Sequence, residues 1–328
     1  MKIVTDFSVM SRPVRVGRSF NPAGLFGGAD RGVFFEPAQT ASLFQTTTAS
    51  LAATLPGQSV ARINDLSTKG GPALQAITAA RPVLGILPAS GRKNLLLHSE
   101  DLTQSAWLKQ GVSATAPNTV AFVAGNNSAN RVIQVLDVGQ RNGQTFYSRL
   151  RVPPAAQWSD PTATLFVGST IATLASVTAT AEWQEIAVQE TYTSSGAFIG
   201  MVLWANKATV ISGLEKMQVT KGAAAAYQRV GSVYDVTEAS SRSLAYLYRD
   251  GVDDALPVTL PDLGSNATIA FASDQAASIL TGQTVAAGAF DILRHQRLFA
   301  MLVIDRALNA SEAQQLAAYL DKVSGRTP

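Results

Sequence analysis

The octet TFYSRLRV at residues 145–152 sets Phe146, Ser148, Leu150 and Val152 on one parity and Tyr147, Arg149 and Arg151 on the other. Side chains of a strand alternate between two faces, so the pattern predicts a half-buried strand with a polar, aromatic-bearing outer face. Further strand-length runs follow at 164–167, 171–177, 185–189, 198–204 and 213–219, each bounded by turn residues. Short strands at this spacing build sandwiches or jelly rolls. The helical pattern comes at the C-terminal end. Asn309 and Glu312 frame a capping box, Leu316, Leu320 and Val323 recur on one helical face, and Gly325 suits a C-cap. The expected class is all-β with a short C-terminal helix.

Composition narrows the function classes. A chain of 328 residues has room for two or three domains, and 46 % hydrophobic against 15 % charged residues suits folded cores. Cysteine is absent, which removes disulfides, thiolate nucleophiles and zinc–sulfur sites in one step. Net charge is +3, but Lys and Arg are scattered, without the basic stripe and aromatic platforms of a nucleic-acid binder. No nucleic-acid partner is expected. No apolar run reaches the roughly 18–20 residues needed to span a bilayer, so no membrane insertion is expected either. The start, MKIVTDFSVMSRPVR, has Asp6 and Arg12 where a secretory peptide would keep its apolar stretch, and no signal peptide is expected. A surface-acting protein with neither feature fits a particle assembled in the cytoplasm and released by lysis. A cytoplasmic bacterial protein fits equally well.

Residues 1–35 read as a region of their own. Short β-like runs at 4–9 and 14–16 are broken by Pro13 and followed by the glycine-rich NPAGLFGG at 21–28. Such a segment buries little surface alone. Two readings stand: an arm, taken as residues 1–33, that orders on a partner, or a strand and loop of the next domain.

From Val33 the order is Phe35-Glu36-Pro37, Leu43-Phe44-Gln45, PGQSV at 56–60, Asp65-Leu66-Ser67 with Gly70, and Ala80-Arg81-Pro82. This resembles the N-terminal strands of concanavalin-A/laminin-G-like sandwiches in phage structural proteins, with Glu36 in place of the usual Asp. Residues 65–71 read as a plain turn rather than a metal loop. In that family the strand after A-R-P leads quickly to Y-L-x-F-D-G-V-D-D. Here its counterpart, YLYRDGVDD at 246–254, comes about 160 residues later, and LFAMLVIDRAL at 298–308 matches the last core strand. Between them, GRKNLLLHSEDL at 91–102 with Trp107, and GLEKMQVTKGAAAAYQRV at 213–230, resemble the opening and end of a jelly-roll module found in attachment proteins of tailed phages and gene-transfer particles. The resemblance implies two β-sandwich (jelly-roll) domains, one inserted in the other. The outer one is a laminin-G/concanavalin-A-like sandwich of 34–90 plus 236–328, and the insert is a carbohydrate-binding-type jelly roll of 91–235. It also implies a non-enzymatic virion spike or fibre component that binds host surface polysaccharide. Such a component would act at the virion surface as a homo-oligomer or in many copies, joined to other virion proteins through residues 1–33. A structural decoration or adaptor protein is the alternative, and a polysaccharide depolymerase a weaker one.

The residues give little support to catalysis. Imidazoles occur only at His98 and His295, and no G-x-S-x-G elbow, H-E-x-x-H or phosphate loop is present. The densest carboxylates are Asp250, Asp253 and Asp254. On a strand Asp253 and Asp254 would face opposite ways, which suits a glycosidase pair poorly. The run reads as a turn entering a strand or as part of a calcium site, and calcium is the one cofactor in view. Sugar binding is easier to support, since flat aromatic faces stack on C–H surfaces while amides, carboxylates and Arg take the hydroxyls, and copy number multiplies weak sites. All four Trp residues lie in 91–235, with Tyr147, Tyr192 and Arg151. A Trp is more often core than platform. Trp183, before Gln-Glu-Ile, reads as core, and Trp158, in the loop PPAAQW, as the exposed one. The candidate glycan-binding residues are Trp158, Tyr147, Arg151, Trp107 and Trp204. Glu215 and Gln218, three apart, are expected on opposite sides of their strand.

Overall fold

The computed structural model describes residues 20–124, 130–136, 143–168, 174–192 and 199–326. The β-like runs at 4–9 and 14–16, and parts of those at 171–177 and 198–204, lie outside the described residues. The chain is all-β, with one α-helix, Ala310–Val323, near its C-terminal end among the described residues.

Val83–Pro88 pairs antiparallel with Ser243–Tyr248, Val83 opposite Tyr248 and Pro88 opposite Ser243. Segments far apart in sequence therefore share one eight-stranded sheet. From there it runs through Arg297–Ile304 to Gly264–Ser273 and Ala277–Val285, with Gly32–Phe35 also on Arg297–Ile304. A residue larger than glycine at 85 has no room, because a Cβ there would stand 2.4 Å from the Tyr246 ring. Arg297–Ile304 is buried along nearly its whole length because the sheet is covered on both sides. Met301 and Val303 enter a core with Val33, Phe35, Leu84 and Leu247. Phe299 and Leu302 enter a second one with Phe34, Tyr246, Leu316 and Leu320. The helix supplies the last two, each worth about 1.5–3 kcal/mol when buried. Its start is the expected capping box, with Asn309 Oδ1 accepting from Glu312 N at 3.0 Å and Glu312 Oε2 accepting from Asn309 N at 2.9 Å.

The arm reading fails for residues 20–33. Pro22–Leu25 is a short 3₁₀ turn, Leu25 and Phe26 pack in the helix-side core, and Gly32–Phe35 is a strand of the large sheet. Arg31 pairs with Asp305 at 2.9 Å and Asp30 with Arg306 at 3.1 Å, which ties the glycine-rich stretch down. Asp65 is a turn residue, as expected. Its carboxylate accepts from the backbone N–H groups of Phe34, Ser67, Lys69 and Gly70.

Between the two halves of that sheet lies a separate core of residues 96–219, with Trp107, Phe146, Leu165, Leu203 and Met217 among its members. One wall is a three-stranded sheet ordered Gln184–Thr191, Thr145–Val152, Glu215–Lys221. The other is five-stranded and includes Thr164–Gly168, Ile199–Ala205 and Arg131–Leu136. The two ends of this unit are clamped together. Asn94 Nδ2 donates to the carbonyls of Met217 and Gln228 at 3.1 and 2.9 Å, and its Oδ1 accepts from Leu96 N and Val219 N. Gln228 Nε2 donates to Gly91 O at 2.8 Å, and Ser99 Oγ accepts from Val230 N at 2.9 Å. Gln228–Ser232 pairs with Asp235–Glu238 and so joins the edge of the eight-stranded sheet. The sheet thus reaches into residues that the sequence reading gave to the insert.

Candidate functional site

Thr145–Val152 is the central strand of the three-stranded sheet, and it alternates as expected. Phe146, Ser148, Leu150 and Val152 are buried, while Tyr147, Arg149 and Arg151 are half-buried on the outer face. Pairing sets Tyr147 between Gln189 and Thr220, Arg149 between Ala187 and Gln218, and Arg151 between Glu185 and Glu215. Glu215 and Gln218 therefore share this face, against the expectation. A bulge explains it: the register shifts between Arg149 and Arg151, and Lys216 adopts a left-handed φ of 53°. One extra residue on the bulged strand reverses the alternation beyond it.

Arg151 organises one end of the face. Its Nη1 lies 3.2 Å from Glu215 Oε2, and its guanidinium carbon lies 4.3 Å from the centre of the Trp183 ring. Trp183 is half-buried beneath that cation rather than a core residue. Arg149 stands 5.8 Å from the centre of the Tyr227 ring, and its buried Nε has no hydrogen-bond partner among the described residues. Residues 222–227 fold over the neighbouring edge. Gln218 Nε2 donates to Ala225 O and Ala226 O, Thr220 Oγ1 to Ala223 O, and Tyr227 Oη to Glu100 Oε1 at 2.7 Å. The alanine run lets this backbone lie close on the strand, and burial pushes the Tyr227 hydroxyl's pKa up. The open part of the face is then Tyr147, Arg149, Arg151, Trp183, Glu185 and Gln189, a mixture of rings, guanidinium forks, carboxylate and amide.

Three of the five sequence-predicted glycan residues lie elsewhere. Trp158 is 5 % exposed and Trp107 is 1 % exposed, both in the insert core. The Ala155–Gln157 3₁₀ turn rolls Trp158 inward, where its Nε1 donates to Pro153 O at 3.0 Å. Trp107 Nε1 donates to His98 O at 3.0 Å. Each indole N–H has the partner a buried ring needs. Trp204 sits on the opposite sheet, directly paired with Phe166, and the two rings stack at 4.1 Å and 7°. Tyr147 and Arg151 remain on the face, joined by Arg149, Trp183 and Gln189, which were not among the candidates. The parity of Arg149 with its two neighbours was a usable signal. Nothing local marked Gln218 or Glu215.

Asp250, Asp253 and Asp254 belong to the outer sandwich. Residues 250–254 form the expected turn, around Gly251 (φ 84°), and the carboxylates converge instead of facing opposite ways as they would on a strand, with one oxygen of each within 4.8 Å of the others. Asp254 is 4 % exposed and accepts from Asp250 N at 2.8 Å. Burial, then the charges of Asp250 and Asp253, raise its pKa above the ordinary value. Three carboxylates at this separation offer hard oxygen ligands of the kind calcium takes.

Comparison with solved structures finds likenesses of low identity. A chain described as "CBM4 structure and function" has 16 % identity and a TM-score of 0.25, over 36 % of this chain and 95 % of that one. The N-terminal CBM22-1-CBM22-2 tandem domain from Paenibacillus barcinonensis Xyn10C has 12 % identity and a TM-score of 0.29, over 67 % of this chain and 93 % of that one. No protein-family model and no curated protein matches the chain.

Proposed function

We propose that the chain is a non-enzymatic carbohydrate-binding protein whose site is the outer face of the three-stranded sheet. The observation that carries this reading is the row Tyr147, Arg149, Arg151 with Trp183 beside it, flanked by Glu185, Gln189 and Glu215. Rings supply apolar stacking surface, and the guanidinium forks, amide and carboxylates supply hydroxyl partners along an extended strip, the shape a polysaccharide presents. Glu185 and Glu215 flank Arg151, but Glu215 is in an ion pair and Glu185 is exposed. Neither sits in an apolar pocket of the kind that makes a carboxyl a general acid, which favours binding over hydrolysis.

The finer part of the proposal is biological setting. The motifs at 91–107 and 213–230, and those of the outer sandwich, resemble virion attachment proteins. We infer a spike or fibre component at the virion surface, present in several copies, that attaches particles to host polysaccharide. Calcium at Asp250, Asp253 and Asp254 is a structural accessory in this reading. The test is binding of the full chain to soluble polysaccharides with the reducing ends followed in the same sample. Binding without release of new reducing ends supports the proposal, release points to a depolymerase, and no binding leaves the structural adaptor reading.

A further inference from the structure

The charges on the face are unevenly matched. Glu215 is engaged by Arg151 at 3.2 Å and Asp235 by Arg229 at 2.8 Å. Glu100 accepts the Tyr227 hydroxyl, and Glu238 accepts from Gln228 and Ser90. Among the described residues no carboxylate pairs with Arg149 or with Lys216. Both border Tyr227. Arg149 stands over its ring at 5.8 Å, and Lys216 and Tyr227 line a cleft of about 390 Å³ with Arg229, Thr237 and Glu238, whose carboxylate is engaged by Gln228 and Ser90. Arg149 is held over that ring without satisfaction, its Nε shielded from solvent and lacking an acceptor among the described residues. Lys216 is itself the left-handed bulge residue that sets Glu215 and Gln218 on one face. A cation fixed by backbone geometry and a guanidinium missing an acceptor, both set against Tyr227, are an arrangement that an anionic group completes. Hydrogen bonds from charged donors to an anion are shorter and stronger than neutral ones.

Resting on the carbohydrate-binding reading, we propose that the polysaccharide is acidic. Its repeating unit carries a uronate carboxylate or sulfate ester, which sits between Arg149 and Lys216 against Tyr227 while neighbouring sugars lie along Tyr147 and Trp183. A neutral glycan would fill the strip and leave both cations without partners.

The experiment compares full-length protein on uronic-acid polysaccharides and their carboxyl-reduced forms, and on sulfated polysaccharides and their desulfated forms, by affinity electrophoresis and calorimetry at two salt concentrations. The expected result is at least about tenfold tighter binding to one acidic member than to its neutral counterpart, with the difference shrinking at high salt. Lys216→Gln should remove most of that difference while leaving the melting temperature and any neutral binding near the parent's, whereas Arg149→Gln, on the binding face itself, should remove the difference and weaken neutral binding as well. The carboxylate and sulfate series tell the two anions apart. Equal binding to acidic and neutral forms, or binding to neutral forms alone, overturns the acidic assignment and leaves the carbohydrate-binding reading standing. Binding to nothing in the panel overturns both.

Discussion

Glu215 and Gln218 lie on one face of their strand although three residues separate them, because Lys216 inserts an extra left-handed residue opposite Arg149 and Arg151. Lys216→Val should disfavour the left-handed backbone and push the strand towards unbulged pairing, which turns Glu215 inward. The expected cost is about 2 kcal/mol or more in denaturant unfolding, from strain at a left-handed β-branched residue or a carboxylate buried without partners. Lys216→Gly keeps the bulge and removes the left-handed strain, so it should gain up to about 1 kcal/mol. Equal stability of the two variants would contradict this account of the bulge.

Asn94 makes four hydrogen bonds while fully buried, two as donor and two as acceptor, to segments at both ends of the insert. Asn94→Ala leaves those backbone groups buried without partners and should cost about 3 kcal/mol or more. Guanidinium unfolding followed by Trp fluorescence reads the change, since all four Trp residues lie in the insert. A loss under 1 kcal/mol would mean that water replaces the side chain and that Asn94 is no clamp.

Much of the fold was legible because strand alternation and capping are local. The octet at 145–152 and the Asn309–Glu312 box behave as their sequence predicts. The site was read less well. Trp158 looked exposed because it follows two prolines in a loop, yet a single 3₁₀ turn carries it into the core. Asp253 and Asp254 would diverge on a strand, and the turn makes them converge. Trp183 looked like core, but whether an indole at a strand's start is covered depends on Arg151, a residue two strand partners away in register rather than in sequence. Bulges, turns and cross-strand partners are non-local facts that alternation does not encode.

Asp254 should make stability fall as pH rises. An acid whose folded pKa exceeds its ordinary value of 3.8 binds more protons folded than unfolded between the two values, so the penalty grows through that window and is complete above it. Asp254→Asn keeps an acceptor for Asp250 N and removes the repulsion. Its melting temperature at neutral pH should exceed the parent's, and its pH dependence above 3.8 should be flatter. Calcium should raise the parent's melting temperature and leave the variant's unchanged. A parent insensitive to millimolar calcium would rule the ion out, and a variant less stable than the parent would contradict the repulsion.

Among the described residues the insert core shares no buried residue with the two cores flanking the large sheet. Replacing residues 92–227 by a short linker from Gly91 to Gln228, whose Nε2 already meets the Gly91 carbonyl at 2.8 Å, should leave a soluble outer sandwich. Its strand pairing Val83–Pro88 with Ser243–Tyr248 is untouched by the cut. Circular dichroism and one cooperative melt are expected. A molten or aggregated fragment would show that the sandwich depends on the insert.

The central claim is that the face built on Tyr147, Arg149, Arg151 and Trp183 binds polysaccharide. The most direct measurement is calorimetric affinity of full-length Trp183→Ala, Trp204→Ala and Trp158→Ala for a polysaccharide bound by the parent, each with its melting curve. Trp183→Ala should lose about tenfold or more in affinity with little change in melting. Trp204→Ala should bind like the parent, and Trp158→Ala should lose about 3–5 kcal/mol of stability. Parent-like affinity in Trp183→Ala, together with loss in Trp204→Ala, would place the site on the opposite sheet and contradict the account.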